Sequence, residues 1–248
     1  MPATRRHLLT LAALTCTSAL LLPACALAQR VTGSGQMVTE TRAVSGFEAV
    51  ALETSFTVKL RQSGREGLSL TADDNLMPLI ETVVESRNGR PTLVLRWKRH
   101  TSIQHRSDIV ATIDAATVKG LATSGSGTIE AEAVQGDALS LSVAGSGDIR
   151  AKAVKVASLQ TSVAGSGDIA VTGAAAVLKV SIAGSGDVDT SGVEAEEVKV
   201  SIAGSGDAKV TAHAALSVSI AGSGDVRYGG RVTAVKTSIV GSGDVTRR

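Results

Sequence analysis

The chain has little of what usually signals chemistry. Only two of its 248 residues are cysteines, and both, Cys16 and Cys25, fall within the first 28 residues, so residues 29–248 have neither disulfide nor thiol chemistry available. Aromatic residues are scarce, with two Phe, one Tyr and one Trp, which leaves little on which nucleobases could stack. An excess of one charge is missing too: Arg5 and Arg6 are two of 25 Lys and Arg, and the other 23 face 23 Asp and Glu. A net charge near zero gives no general pull toward phosphate backbones. Nucleic acid is therefore not an expected partner. The longest apolar stretch, residues 8–22, is interrupted by threonines and falls short of the ~20 residues that a membrane-spanning helix needs, so no transmembrane span is expected after residue 28.

That stretch has a different meaning. Arg5 and Arg6 precede it, and "ALA" (Ala26, Leu27, Ala28) stands before Gln29, the pattern of a cleaved secretory signal peptide over residues 1–28. The expectation is export to the periplasm, the outer envelope or the medium. Two details bear on the route. "TRRHLL" has the paired arginines of a twin-arginine signal, although an ordinary basic end reads the same way. "LPAC" resembles a lipobox that would place a lipid on Cys25, with the proline off-pattern and an Ala-x-Ala site directly after it. Ordinary export is the reading taken here; lipid anchoring at Cys25 is the alternative.

What the chain has in plenty is repetition. Apart from an early "GSG" at Gly33, the first glycines of recurring "GSG" triplets are Gly125, Gly145, Gly165, Gly184, Gly204, Gly222 and Gly241, spaced by 20, 20, 19, 20, 18 and 19 residues. A period in this range marks a solenoid, whose repeats bury their apolar faces only by stacking on one another. Two residues before the glycine stand Val143, Val163, Ile182, Ile202, Ile220 and Ile239, and six before it stand Leu139, Leu159, Leu178, Val198, Leu216 and Val235. The positions between alternate with Ser, Lys and Gln, and only Thr161 and Thr237 interrupt the apolar set. Period-two alternation predicts a strand with one buried face. A second strand is predicted after the aspartate, beginning at Ile149, Ile169, Val188, Ala208, Val226 and Val245.

Each repeat therefore reads as strand, "GSGD" corner, strand and return segment. Strands one coil apart run parallel, so the fold expected for residues 124–248 is an all-β parallel β-helix, or solenoid, with coils of ~19–20 residues and a right-handed sense. The return segments vary in length while the strand and corner do not, which places the slack on one edge. The corner recurs because coils ~4.8 Å apart need the same compact backbone at every level. The aspartates Asp148, Asp168, Asp187, Asp207, Asp225 and Asp244 then form a ladder. Each is expected to accept hydrogen bonds from turn amides, without calcium, because "GSGD" lacks the spacing of calcium-binding β-rolls.

Residues 29–123 are less regular and are expected to form a β-rich cap on the first coil. Strand-like runs occur at "FEAVAL", "SFTVKL", "GLSLTA", "PTLVLRW" and "DIVATI". In "DDNLMPLIETVVE", Asp73 to Asn75 are placed to cap a short helical turn around residues 76–80.

"SGFEAVALETSFTVKLRQ", "ADDNLMPLIETVV", the repeated "AGSGD" and the closing "GSGDVRYGG" with "SIVGSGDV" together resemble the family called putative auto-transporter adhesin, head GIN domain, over nearly all of residues 29–248. The resemblance implies adhesion and brings no catalytic residues. No membrane barrel is expected, the sequence ending at Arg248, four residues after the last "GSGD".

Three features invite a sharper reading. "RWKRHTSIQHR" (residues 96–106) could bind an anionic glycan or lipid head group, or could be a solvated strand pair and loop in which Trp97 packs. His213 has no second histidine or cysteine nearby in the sequence and reads as a surface residue. β-Helices also include polysaccharide lyases and hydrolases, but here the acids lie in register, one per coil, and no nucleophile set, nucleotide loop or metal spacing stands out. No catalytic, cofactor-binding or metal-ligating residue is assigned, and no cofactor. The functional expectation is a non-catalytic secreted or envelope binding module, adhering to a surface glycan or protein. A carbohydrate-active enzyme and a structural envelope protein with no ligand are the alternatives.

Overall fold

The computed structural model describes residues 30–99, 101–105 and 107–248. The expected signal peptide with Cys25 lies outside the described residues, as do His100 and Arg106.

Residues 135–222 form a parallel β-solenoid. Val, Ile and Leu at every second position can all point to one side of a strand, and their β-branched members suit the pleated backbone. The strands Asp148–Gly165, Ile169–Gly184, Val188–Gly204 and Ala208–Gly222 each begin near one corner and run through the return segment to the next, while Gln135–Gly145 starts within a return segment, after the separate strand Thr128–Glu132. They pair in parallel with like residues superposed: Leu159 on Leu178, Val163 on Ile182, Ile202 on Ile220, glycine on glycine. All the expected inward residues of these coils are buried, each contributing about 1.5–3 kcal/mol. Thr161, which breaks the apolar pattern, is fully buried and directs its hydroxyl to the carbonyl of Lys179 at 3.5 Å.

The return edge behaves differently. Pairing register shifts between Ala151 and Val154, between Ala170 and Thr172, and between Thr190 and Ala195. Length differences between coils are absorbed at these bulges, because a slip there leaves the inward set of the next strand in place.

The five strand-like runs of the first half are strands too, but they stack out of chain order. The strand Ala49–Leu52 lies between Arg90–Trp97 on one side and Gly120–Thr123 on the other. Thr57–Gln62 likewise lies between Val110–Ala115 and Thr128–Glu132. The coil made by the later residues is thus the outer one. Antiparallel strands then close the end: Ile80–Arg87 beside Arg90–Trp97, and Gly67–Asp73 followed by Met37–Arg42 beside Val110–Ala115. Arg42 ties this end down, donating to the carbonyls of Ile80 at 2.7 Å and Met77 at 2.9 Å. One hydrophobic cluster runs from Phe47 to Val226.

The helical turn is present as Met77–Leu79, but its N-cap is Leu76 and no side chain caps it. The expected caps are engaged elsewhere. Asp73 is buried and accepts the amide of Gly35 at 2.8 Å, while Asn75 accepts the amide of Ser34 at 3.0 Å and donates to the carbonyl of Thr32 at 2.8 Å. The early "GSG" is therefore a strap over Asp73–Asn75 and not a solenoid corner.

Candidate binding face

The corners explain the repeated sequence. At Gly204 the backbone φ is +140°, and a Cβ there would stand 2.2 Å from the carbonyl oxygen of Gly184. At Gly206 the φ is ordinary, but a Cβ would stand 2.1 Å from the carbonyl oxygen of Gly186. One glycine is needed for conformation and space, the other for space alone. The serine amide between them donates to the glycine of the coil below, as Ser205 does to Gly184 at 2.9 Å.

The aspartate ladder needs a correction. From Asp148 to Asp225 its carboxylates do not accept amides of their own turn; each takes the amide of the next aspartate up the stack. Asp168 accepts from Asp187 at 2.9 Å, Asp187 from Asp207 at 2.8 Å, Asp207 from Asp225 at 2.8 Å and Asp225 from Asp244 at 3.0 Å. The coil spacing brings each carboxylate within reach of the amide above it, and this charge-assisted bond offsets the repulsion between neighbouring acids. Asp244, with no coil above, turns to the amide of Val245 at 2.9 Å. Each carboxylate of the ladder thus accepts a backbone amide, and no cluster of three or more His, Cys, Asp or Glu able to hold a metal occurs among the described residues.

A concave surface lies on the outer side of the sheet that leads into the corners. Its outward positions five and three residues before the first corner glycine read Gly120 and Ala122, Ser140 and Ser142, Gln160 and Ser162, Lys179 and Ser181, Lys199 and Ser201, Ser217 and Ser219, Lys236 and Ser238. None is acidic and most are small. At the capped end this face forms a cavity of about 460 Å³, floored by Ala49, Ala51, Gly120 and Ala122 and reaching Ser140, Ser142 and Gln160. Arg87, Asn88 and Arg90 form its rim. A second depression of about 210 Å³ shares Gln160 and continues past Lys179 and Ser181 to Lys199 and Ser201. Together they make a strip along the solenoid axis, with cationic side chains at both ends.

The rim comes from a hairpin. Asn88 (φ 51°) and Gly89 (φ 75°) turn the chain between Ile80–Arg87 and Arg90–Trp97, as Asn-Gly pairs do in two-residue hairpins. Ion pairs hold it: Arg87 with Glu53 and Glu85, each at 2.6 Å, and Arg96 with Glu81 at 2.6 Å. The hydrogen bond from Arg87 holds the Glu85 carboxyl below its usual range, against the opposing effect of desolvation and with help from the charges of Arg87 and Arg96. Arg90 donates to the carbonyl of Lys119 at 3.0 Å, placing its guanidinium beside the cavity floor. Apart from Arg96, none of these residues was singled out from the sequence, although Asn88-Gly89 between two alternating runs is a readable hairpin signal.

The residues that were singled out do not converge on this strip. Trp97 packs edge to face on Phe56, with ring centroids 4.9 Å apart. Arg96 is engaged by the glutamates, and His105 bonds Ser55 at 2.9 Å and the carbonyl of Ser107 at 3.1 Å. His213 is half-buried on the return edge and pairs with Glu194 of the preceding coil.

The family model described as putative auto-transporter adhesin, head GIN domain, matches residues 46–232. Among solved structures, a putative adhesin from Bacteroides fragilis superposes with a TM-score of 0.81 at 22% identity, covering 88% of this chain and 100% of the other. A putative lipid binding protein from Parabacteroides distasonis gives 0.73 at 26% identity, covering 89% and 100%. A putative adhesin from Parabacteroides merdae gives 0.74 at 22% identity, covering 88% and 99%. No curated protein matches the chain. No helix among the described residues is long and apolar enough to cross a membrane.

Proposed function

The chain belongs to the putative auto-transporter adhesin, head GIN domain family, and from that premise we propose that it is an exported, non-catalytic binding module whose ligand is a glycan of a cell surface or matrix. The observation that carries this reading is the strip from Arg87 and Arg90 to Lys199: shallow, extended, floored by small residues and free of acids along its outward columns. A linear chain of sugars can lie along such a strip, its hydroxyls meeting Ser140, Ser142, Gln160, Ser181 and Ser201 while the cations meet any carboxylate or sulfate it carries. The serines have no paired base and the aspartates are committed to the corner ladder on another side of the coil, which supports binding without turnover.

The test is a glycan array probed with the purified protein and with Ser142→Trp and Ser181→Trp, which fill the two halves of the strip from its solvent side. Binding by the parent protein and its loss in both variants, with unchanged melting temperatures, is the expected result. Shortening of a bound glycan would favour the enzyme instead. The name of the Parabacteroides distasonis neighbour makes vesicles of anionic lipid the necessary second probe. Binding to vesicles and to no glycan would replace the sugar by a lipid head group; binding to neither, or binding that both variants retain, would sink the assignment of the strip.

A further inference from the structure

The two ends of the solenoid differ in a way that the binding strip does not use. One end is closed by antiparallel strands and tied by Arg42. At the other, the strand Ala234–Gly241 pairs on one side only, with Ala208–Gly222, and every one of its residues is exposed. Val235 and Ile239, at 42% and 40% exposure, are the positional equivalents of Val198 and Ile202, at 3% and 2%. A long edge strand with apolar inward residues and no proline is a template for another strand.

The geometry points to a second copy of this chain as the occupant, joined end to end with a twofold axis through Thr237. At the capped end the outermost strands, Met37–Arg42 and Ile80–Arg87, also pair on one side only, but they run antiparallel over a core they already cover, with Leu70 and Ile80 buried. Only the opposite end leaves inward residues of a coil, Val235 and Ile239, uncovered, so like ends complete each other. Every register of two antiparallel copies of "AVKTSIVG" centred on a residue near the middle of the strand keeps the inward residues inward, but one alone sets Val235 against an apolar residue with like charges apart. Centred on Thr237, it sets Val235 opposite Ile239 of the second copy, Thr237 opposite its own mate and Lys236 opposite Ser238. Centred on Ser238, the pairing would set Val235 against Gly241. Centred on Lys236, it would set Lys236 against Lys236.

Charge agrees with this pairing. A twofold axis normal to the strand lays the corner edge of one copy over the return edge of the other. The corner edge ends in Asp244, the one ladder carboxylate with no coil above it. The return edge of the last coil carries Arg231, which is exposed, and Arg247, whose guanidinium donates to Gly230 at 2.9 Å. Acid meets base at both margins of the interface.

Sedimentation of the purified protein tests this directly. A species of twice the chain mass is expected, and Ile239→Lys should weaken it by about tenfold or more, as lysine does at exposed strand edges, while leaving the melting temperature of the monomer unchanged. A protein monomeric at every concentration, or one that grows beyond dimers, overturns the proposal. The register has its own test, in a background where Cys16 and Cys25 are replaced by serine. Opposed residues of an antiparallel pair have Cα atoms about 4.5–5.5 Å apart, inside the ~4.4–6.8 Å that a disulfide spans. Thr237→Cys should therefore cross-link two chains on oxidation and Ser238→Cys should not. The reverse outcome refutes the register.

Discussion

The corners at residues 53–56 and 203–206 occupy the same column of one ladder, yet one reads Glu-Thr-Ser-Phe and the other Ala-Gly-Ser-Gly. Thr54 stands where Gly204 stands, and Phe56 where Gly206 stands. The difference lies in what is underneath. Below Gly206 is the carbonyl of Gly186, part of an identical corner. Below Phe56 the adjoining coil has no such corner among the described residues: after Trp97 the chain leaves the stack, Ser102–Gln104 pairing instead with Arg30–Thr32, and it rejoins where Thr57 donates to Ile109 at 2.9 Å. The space so opened is filled by the Phe56 ring, buried against Trp97. The second glycine of the corner is thus demanded by the neighbouring coil and not by the turn itself, and the first corner escapes that demand because its neighbour has opened.

The sharpest way to break this comparison is to transplant it. Gly204→Thr combined with Gly206→Phe writes the first corner's residues into a stacked one, where both side chains would meet backbone. No folded protein is expected, and circular dichroism together with soluble yield decides it. A cooperative melt close to the parent's would show that the stack is looser than the 2.1–2.2 Å approaches require. Next in size is Phe56→Ala, which empties the space that the open loop provides and should cost about 3–5 kcal/mol, read by denaturant unfolding. A loss below one kcal/mol would mean that the loop collapses into the gap.

The ladder comes third. Asp187→Ala removes the acceptor of the Asp207 amide and should cost about 1 kcal/mol, whereas Asp187→Asn keeps an acceptor oxygen there and should be nearly neutral. Equal losses from the two substitutions would mean that the charge, and not the bond between coils, matters. The smallest expected effect is that of calcium. The melting temperature should be the same in millimolar calcium and in excess chelator, since the carboxylates already hold amides. A rise of roughly ten degrees, several kcal/mol for a chain of this size, would recast the corner edge as a metal-dependent surface.

The sequence by itself determined the solenoid, its coil length, its inward columns and the place of its slack. Each of those depends on a contact between residues about one coil apart, and a contact that recurs at a fixed separation leaves a periodic mark: Ile182, Ile202 and Ile220 reveal each other. Only the tertiary structure decided the rest. The coil of residues 90–115 stacks outside that of residues 49–62, an order set by pairings that occur once and leave no repeat to read. The helical turn lost its expected caps because the strap at Ser34 and Gly35, about forty residues away, claimed Asp73 and Asn75. The aspartates bond up the stack because the chain rises by one coil, a distance that no local pattern of Gly, Ser and Asp encodes. The candidate strip belongs to the same class: its small residues read from the sequence only as the polar side of a strand, and it became a cavity when the Asn88-Gly89 hairpin, a local signal with a remote destination, folded back to rim it.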